Sequence, residues 1–73
     1  MEKSKIRITV LKEDKQESHS FYISKDKEIE ISLLIKSNNE QELRNIFENL
    51  EDLDKNLYQF DFDNVVGIEF LKC

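Results

Sequence analysis

Ile29-Glu30-Ile31-Ser32-Leu33-Leu34-Ile35-Lys36 is the stretch on which the fold turns. Ile29, Ile31, Leu33 and Ile35 share one parity, while Glu30, Ser32, Leu34 and Lys36 share the other. A period of two predicts a strand with one buried face.

Upstream, Ile6, Ile8 and Val10 alternate with Arg7 and Thr9 across Lys5 to Leu11, and His19, Phe21 and Ile23 alternate with Ser20 and Tyr22. The polar runs Lys12 to Glu17 and Ser24 to Glu28 read as connections. A turn centred on Asp14 and Lys15 would set Ile8 opposite Phe21 and Ile6 opposite Ile23. A loop over residues 24–28 would then set Ile23 opposite Ile29 and Phe21 opposite Ile31, giving a three-strand meander with its apolar side chains on one face.

Downstream, Ser37-Asn38-Asn39-Glu40 carries a helix start signal, with either Ser37 and Glu40 or Asn39 and Glu42 as the reciprocal cap. Leu43, Ile46, Phe47, Leu50 and Leu53 then follow the spacing of one helical stripe, which predicts a helix ending near Leu53. Tyr58, Phe60, Phe62 and Val66, Ile68, Phe70 form two further alternations. A connection through Asp63-Asn64-Val65 pairs Phe62 with Val66, Phe60 with Ile68 and Tyr58 with Phe70. The expected fold class is α+β: a single antiparallel sheet in the order β-β-β-α-β-β with one amphipathic helix packed on one face, and residues 1–73 as one domain.

A chain of 73 residues has a core that seldom supplies more than about 3–5 kcal/mol of net stability. The single cysteine, Cys73, cannot form an intramolecular disulfide, and no Cys and His cluster at metal-ligand spacing exists. No cofactor is expected. No apolar run reaches the length that spans a bilayer, and no secretory leader is visible, so the expectation is a cytoplasmic protein without a membrane partner. Ala, Pro and Trp are absent and Gly occurs once, whereas Lys, Glu, Asn and Ile abound. That usage points to an AT-rich coding sequence of bacterial, phage or plasmid origin.

The net charge of −5 is unevenly placed. Residues 40–63 hold eight carboxylates against Arg44 and Lys55, whereas residues 1–39 balance to +1 and residues 64–73 to zero. Glu40 and Glu42 suit the start of a helix, but Asp52 and Asp54 oppose the dipole at its expected end. Arg44 is within reach of Glu40 and Glu48, and Glu51 of Lys55, on the expected helix. Glu48, Glu51, Asp52 and Asp54, with Asp61 and Asp63 on the following strand, make the candidate partner-binding surface. Spaced carboxylates compete with phosphates for the Lys and Arg of a basic groove, and for the same reason direct nucleic-acid binding is not expected.

Other constellations carry less. Ser18-His19-Ser20 resembles hydrolase chemistry only in composition, because neighbouring strand residues point to opposite faces and a nucleophile must meet its base across the fold. Counting a calcium loop from Asp61 places Val66 where glycine is needed and Lys72 where the bidentate glutamate belongs. A weaker magnesium site would need Asp61, Asp63 and Glu69 together. Lys3, Lys5 and Arg7 line the outward face of the first strand, where cations discourage edge-to-edge pairing. Cys73 has no sign of thiolate activation. Tyr22 and Leu34, both off the core parity, are a candidate second interface for a homodimer.

These features predict a non-enzymatic inhibitor, small and acidic, that docks its carboxylate face onto a basic nucleic-acid-binding site of a host protein. Phage or mobile-element proteins of the anti-CRISPR or other anti-defence type fit that description. Two other expectations stand beside it: a toxin-neutralising immunity protein, or a homo-oligomeric structural or regulatory subunit with no inhibitory role.

Overall fold

The computed structural model describes residues 2–71, and the expectation for Cys73 lies outside them. Two ten-residue strands, β1 (Lys3–Lys12) and β2 (Lys15–Ser24), form an antiparallel hairpin. Its turn is the pair Glu13 and Asp14, with φ of 51° and 64°. Left-handed backbone at both central positions matches the twist of the flanking strands. The tight turn sets Ile6 opposite Phe21 and Ile8 opposite His19, two residues away from the expected register. A shift of two leaves every side chain on its expected face.

The stretch after β2 is a helix, which corrects the expected third strand and the β-β-β meander. α1 spans Lys25–Lys36. The Ser24 hydroxyl accepts from the Lys27 amide at 3.1 Å, Asp26 and Glu28 occupy the first turn, and Lys36 the last. Lys25–Glu28 and Lys27–Glu30 pair across one turn at 2.9 Å each. What looked like a polar loop is therefore the capped, charge-complemented opening of a helix. Alternation and helical spacing coincide over part of the run: Ile31, Leu34 and Ile35 stand at i, i+3 and i+4. Ile31 is fully buried and Leu34 packs against the core, while Ile29 and Leu33 point outward, 48% and 59% exposed.

α1 ends by a Schellman arrangement, in which Asn38 takes a φ of 55° and the amides of Asn38 and Asn39 donate to the Ile35 and Leu34 carbonyls. Asn39 then caps α2 (Glu40–Glu48) by accepting from the Glu42 amide at 3.3 Å. α2 stops at Glu48, a turn before the expected end near Leu53. Leu50 keeps its buried place by entering a two-residue ladder, β3 (Leu50–Glu51) against β4 (Leu57–Tyr58), with Leu50 opposite Tyr58. The returning chain reaches the helix end, where the Phe60 amide donates to the Phe47 carbonyl at 2.7 Å.

The expected C-terminal hairpin does not form. Phe62 sits in a single 3-10 turn, Phe62–Asn64, and β5 (Val65–Leu71) pairs with β1 instead. That pairing sets Ile68 opposite Ile8 and Phe70 opposite Ile6, so the apolar parity of β5 meets that of the most buried strand. The result is an α+β fold: a three-stranded antiparallel sheet ordered β2-β1-β5, a small second sheet and two helices. Ile6, Ile8, Phe21, Ile23, Ile31, Leu43, Phe47, Leu50 and Phe60 make the core. Phe21 and Tyr58 stack at 4.1 Å between centroids, nearly parallel, and close one side of it.

Candidate functional site

The six carboxylates of the candidate surface divide once their partners are known. Asp52 is buried and holds the β3–β4 turn together. Its Oδ1 accepts from the amides of Asp54 at 2.8 Å and Asn56 at 2.9 Å, and its Oδ2 from the Asn56 side chain at 3.1 Å. The turn needs this, because Lys55 is held at a φ of 67°. The turn is also tied to the edge of β2 by the Leu53 amide, which donates to the Tyr22 carbonyl at 3.0 Å. Burial pushes the Asp52 carboxyl upward, but the donors from Asn56, Asp54 and the Tyr58 hydroxyl outweigh it and hold the group below its ordinary range. Burial and the neighbouring Asp52 charge together raise the Tyr58 phenol.

Asp61 caps the 3-10 turn, accepting from the Asp63 amide at 3.1 Å. Asp63 pairs with Arg44 at 2.9 Å, and that guanidinium lies 5.7 Å from the Phe62 ring centroid. The Arg44 hydrogen bond and charge lower the Asp63 carboxyl, and Asp63 raises Arg44 in turn. Arg44 thus joins α2 to the 3-10 turn, in place of the expected bridges to Glu40 and Glu48, and the expected Glu51–Lys55 pair is not made. Glu69 is drawn to Arg7 at 2.7 Å. Asp61, Asp63 and Glu69 therefore serve three different partners, and no cluster of three or more His, Cys, Asp or Glu side chains suited to a metal occurs among the described residues.

Glu48, Glu51 and Asp54 remain, exposed and with no ion pair or side-chain hydrogen bond among the described residues. Glu48 closes α2 at the negative end of its dipole, and the last turn has no cation to offset it. Beside it lies an open cleft of about 430 Å³ lined by Glu48, Asn49, Gln59, Phe60 and Asp61. Two carboxylates here border one depression with an apolar ring at its wall, a geometry that can receive a Lys or Arg side chain. Glu51 faces a different depression, shared with Lys3, Lys27 and Lys55, so its surroundings are of mixed sign. The part of the surface that stays anionic is the Glu48 and Asp61 cleft, with Asp54 at the tip of the neighbouring turn.

Tyr22 and Leu34 do not share a surface. Tyr22 lies on the sheet face away from the helices, with Lys3 Nζ 4.6 Å and Lys5 Nζ 5.8 Å from its ring centroid, whereas Leu34 packs inward against the core. Lys3, Lys5 and Arg7 belong to the central strand of the sheet, so the edge-guarding role expected of them does not apply. His19 is half-buried against Phe60, with centroids 5.6 Å apart. A polar contact that the sequence did not reveal joins the buried Ser4 hydroxyl to Glu28. The parity of Ser4 with Ile6 and Ile8 signals its inward direction, but its partner lies in a polar run with no strand period.

No helix is long and apolar enough to cross a membrane among the described residues. The chain matches no family model, no curated protein and no solved structure.

Proposed function

We propose that the protein is a non-enzymatic binding module whose acidic end docks on a basic protein partner. Contact centres on the Glu48 and Asp61 cleft and extends to Asp54 and Glu51. The observation that carries this reading is Glu48 itself: an exposed carboxylate at the negative end of a helix, bordering a cleft that holds a second carboxylate, with no cation in its turn. Like-signed potentials of this kind are costly to the isolated fold and favourable against Lys and Arg. A basic groove that otherwise takes nucleic acid offers such residues at the required density. Together with the AT-rich residue usage, this supports an inhibitor of a host nucleic-acid enzyme encoded by a phage or mobile element.

The test is capture of partners from an AT-rich bacterial lysate on the immobilised chain, with elution by salt and identification by mass spectrometry. A basic nucleic-acid-binding protein released as salt rises is the expected result. The combined variant Glu48→Lys, Glu51→Lys, Asp54→Lys should lose that protein while keeping its far-ultraviolet circular dichroism. Undiminished capture by this variant would sink the reading.

A further inference from the structure

We propose that the outer edge of β5 seats a second copy of this chain, the two β5 strands pairing antiparallel about a two-fold axis to join two sheets into one of six strands. The order β2-β1-β5 leaves two edges. At the β2 edge the Leu53 amide already occupies the Tyr22 carbonyl. β5 pairs with β1 alone, and no loop backbone hydrogen bond reaches its other edge among the described residues.

Natural edges are guarded by Lys, Pro, shortness or covering. β5 runs seven residues with no Pro, Lys or Arg, and its one charge, Glu69, is held by Arg7 on the open face of the sheet. The irregularity opposite Thr9 and Val10 turns out an apolar side chain rather than a charge: Val66 stands 53% exposed. The core is also unfinished on this side. Ile68 and Phe70 face inward opposite Ile8 and Ile6, yet remain half-buried while those partners are fully buried. Along the edge runs a cleft of about 380 Å³ in which Ile35, Phe62, Val66 and Ile68 are the apolar wall and Asn38 and Glu40 the polar rim.

An open row of amides and carbonyls calls for an extended strand, and apolar flanks call for apolar alternate side chains. β5 itself meets both needs. A two-fold axis sets like against like, and a register centred on Ile68 places Val66 opposite Phe70 and Glu69 opposite Gly67, so no two carboxylates of β5 itself meet across the pair. An axis normal to the sheet keeps both helix layers on one side, which brings the two clefts together. The unneutralised carboxylates Glu48, Glu51 and Asp54 line no part of this cleft, so the acidic docking end is left free and its fate is independent of this proposal.

The experiment is light scattering of the intact chain over a dilution series reaching about 1 mM, high enough to populate a dimer of millimolar Kd. The expected mass is twice 8.8 kDa at high concentration, falling to 8.8 kDa on dilution. Val66→Lys should stay at 8.8 kDa throughout with unchanged circular dichroism, while Leu33→Glu, on the outer face of α1, should still dimerise. Hydrogen exchange on the unmodified chain supplies a readout that no variant can confound: amides of β5 should lose protection on dilution. A mass of 8.8 kDa at every concentration overturns the proposal. So does a dimer that survives Val66→Lys, one that is lost in Leu33→Glu, or β5 amides whose exchange ignores concentration.

Discussion

Asp52 shows how one residue's role follows from its donors. Counted as a charge it belongs to the acidic stretch, but its oxygens accept two backbone amides and one side-chain amide within its own turn. Asp52, Asp63 and Glu28 are all held below their ordinary values of 3.8, 3.8 and 4.5: Asp52 against the upward push of burial, Asp63 by Arg44, and Glu28 by Ser4 and then Lys25. A carboxyl whose pKa is depressed by folding stabilises the fold above its unfolded value, and that stability is lost as pH falls through the folded value. Thermal melts should therefore hold steady from neutrality to about pH 5 and decline below pH 4, by the linkage of proton uptake to unfolding. Asp52→Asn should start from a lower melting temperature and show a shallower acid limb. The raised Tyr58 phenol acts at the other end: its contribution is complete below its ordinary 10.0 and is lost as pH rises past the folded value. Tyr58→Phe should flatten the alkaline limb in the same melts.

At the scale of elements, α1 separates what the sequence made legible from what it hid. β1 and β2 are half-buried strands for which a period of two is unambiguous, and α2 follows a helical stripe with a cap at Asn39, so both were readable. β5 was readable as a strand, but its partner was not, since any inward-facing apolar set can pair with any other of like parity. The run from Ile29 to Ile35 satisfies both periods, and the choice lay in the polar residues before it: Ser24 as cap, with Asp26 and Glu28 behind it. The same polar opening carries Glu28, the partner of Ser4, which periodicity alone does not single out. A helical stripe continued to Leu53 puts Asp52 on the helix surface, whereas the β3–β4 turn buries it. The two readings of α1 make opposite demands on Ile29. On a strand it would share the buried face with Ile31; on the helix it points to water. Ile29→Ala should thus change stability by no more than about 0.5 kcal/mol, as exposed substitutions do. Ile31→Ala should cost about 2–5 kcal/mol, enough to unfold a domain of this size, and Ser24→Ala about 0.5–2 kcal/mol through loss of the cap. Chemical denaturation of the three variants measures all of these.

Across the whole molecule, the sheet surface away from the helices carries Lys3, Lys5 and Arg7 along its central strand, with Arg7 paired to Glu69, while the end of α2 and the turn beyond it carry Glu48, Glu51 and Asp54. β1 lies at the centre of the sheet, and its two sides are paired at different times. Its neighbour on one side is β2, joined by two residues, and that hairpin forms within the reach of a local turn. Its neighbour on the other side is β5, and the Arg7–Glu69 contact spans 62 residues of chain. Pairing at that separation carries the full entropy of closing a long loop. During synthesis on the ribosome, one side of β1 therefore stays unpaired until β5 has emerged, while Ile6 and Ile8 share their core with residues made before it, on α1, on α2 and at Leu50, Tyr58 and Phe60.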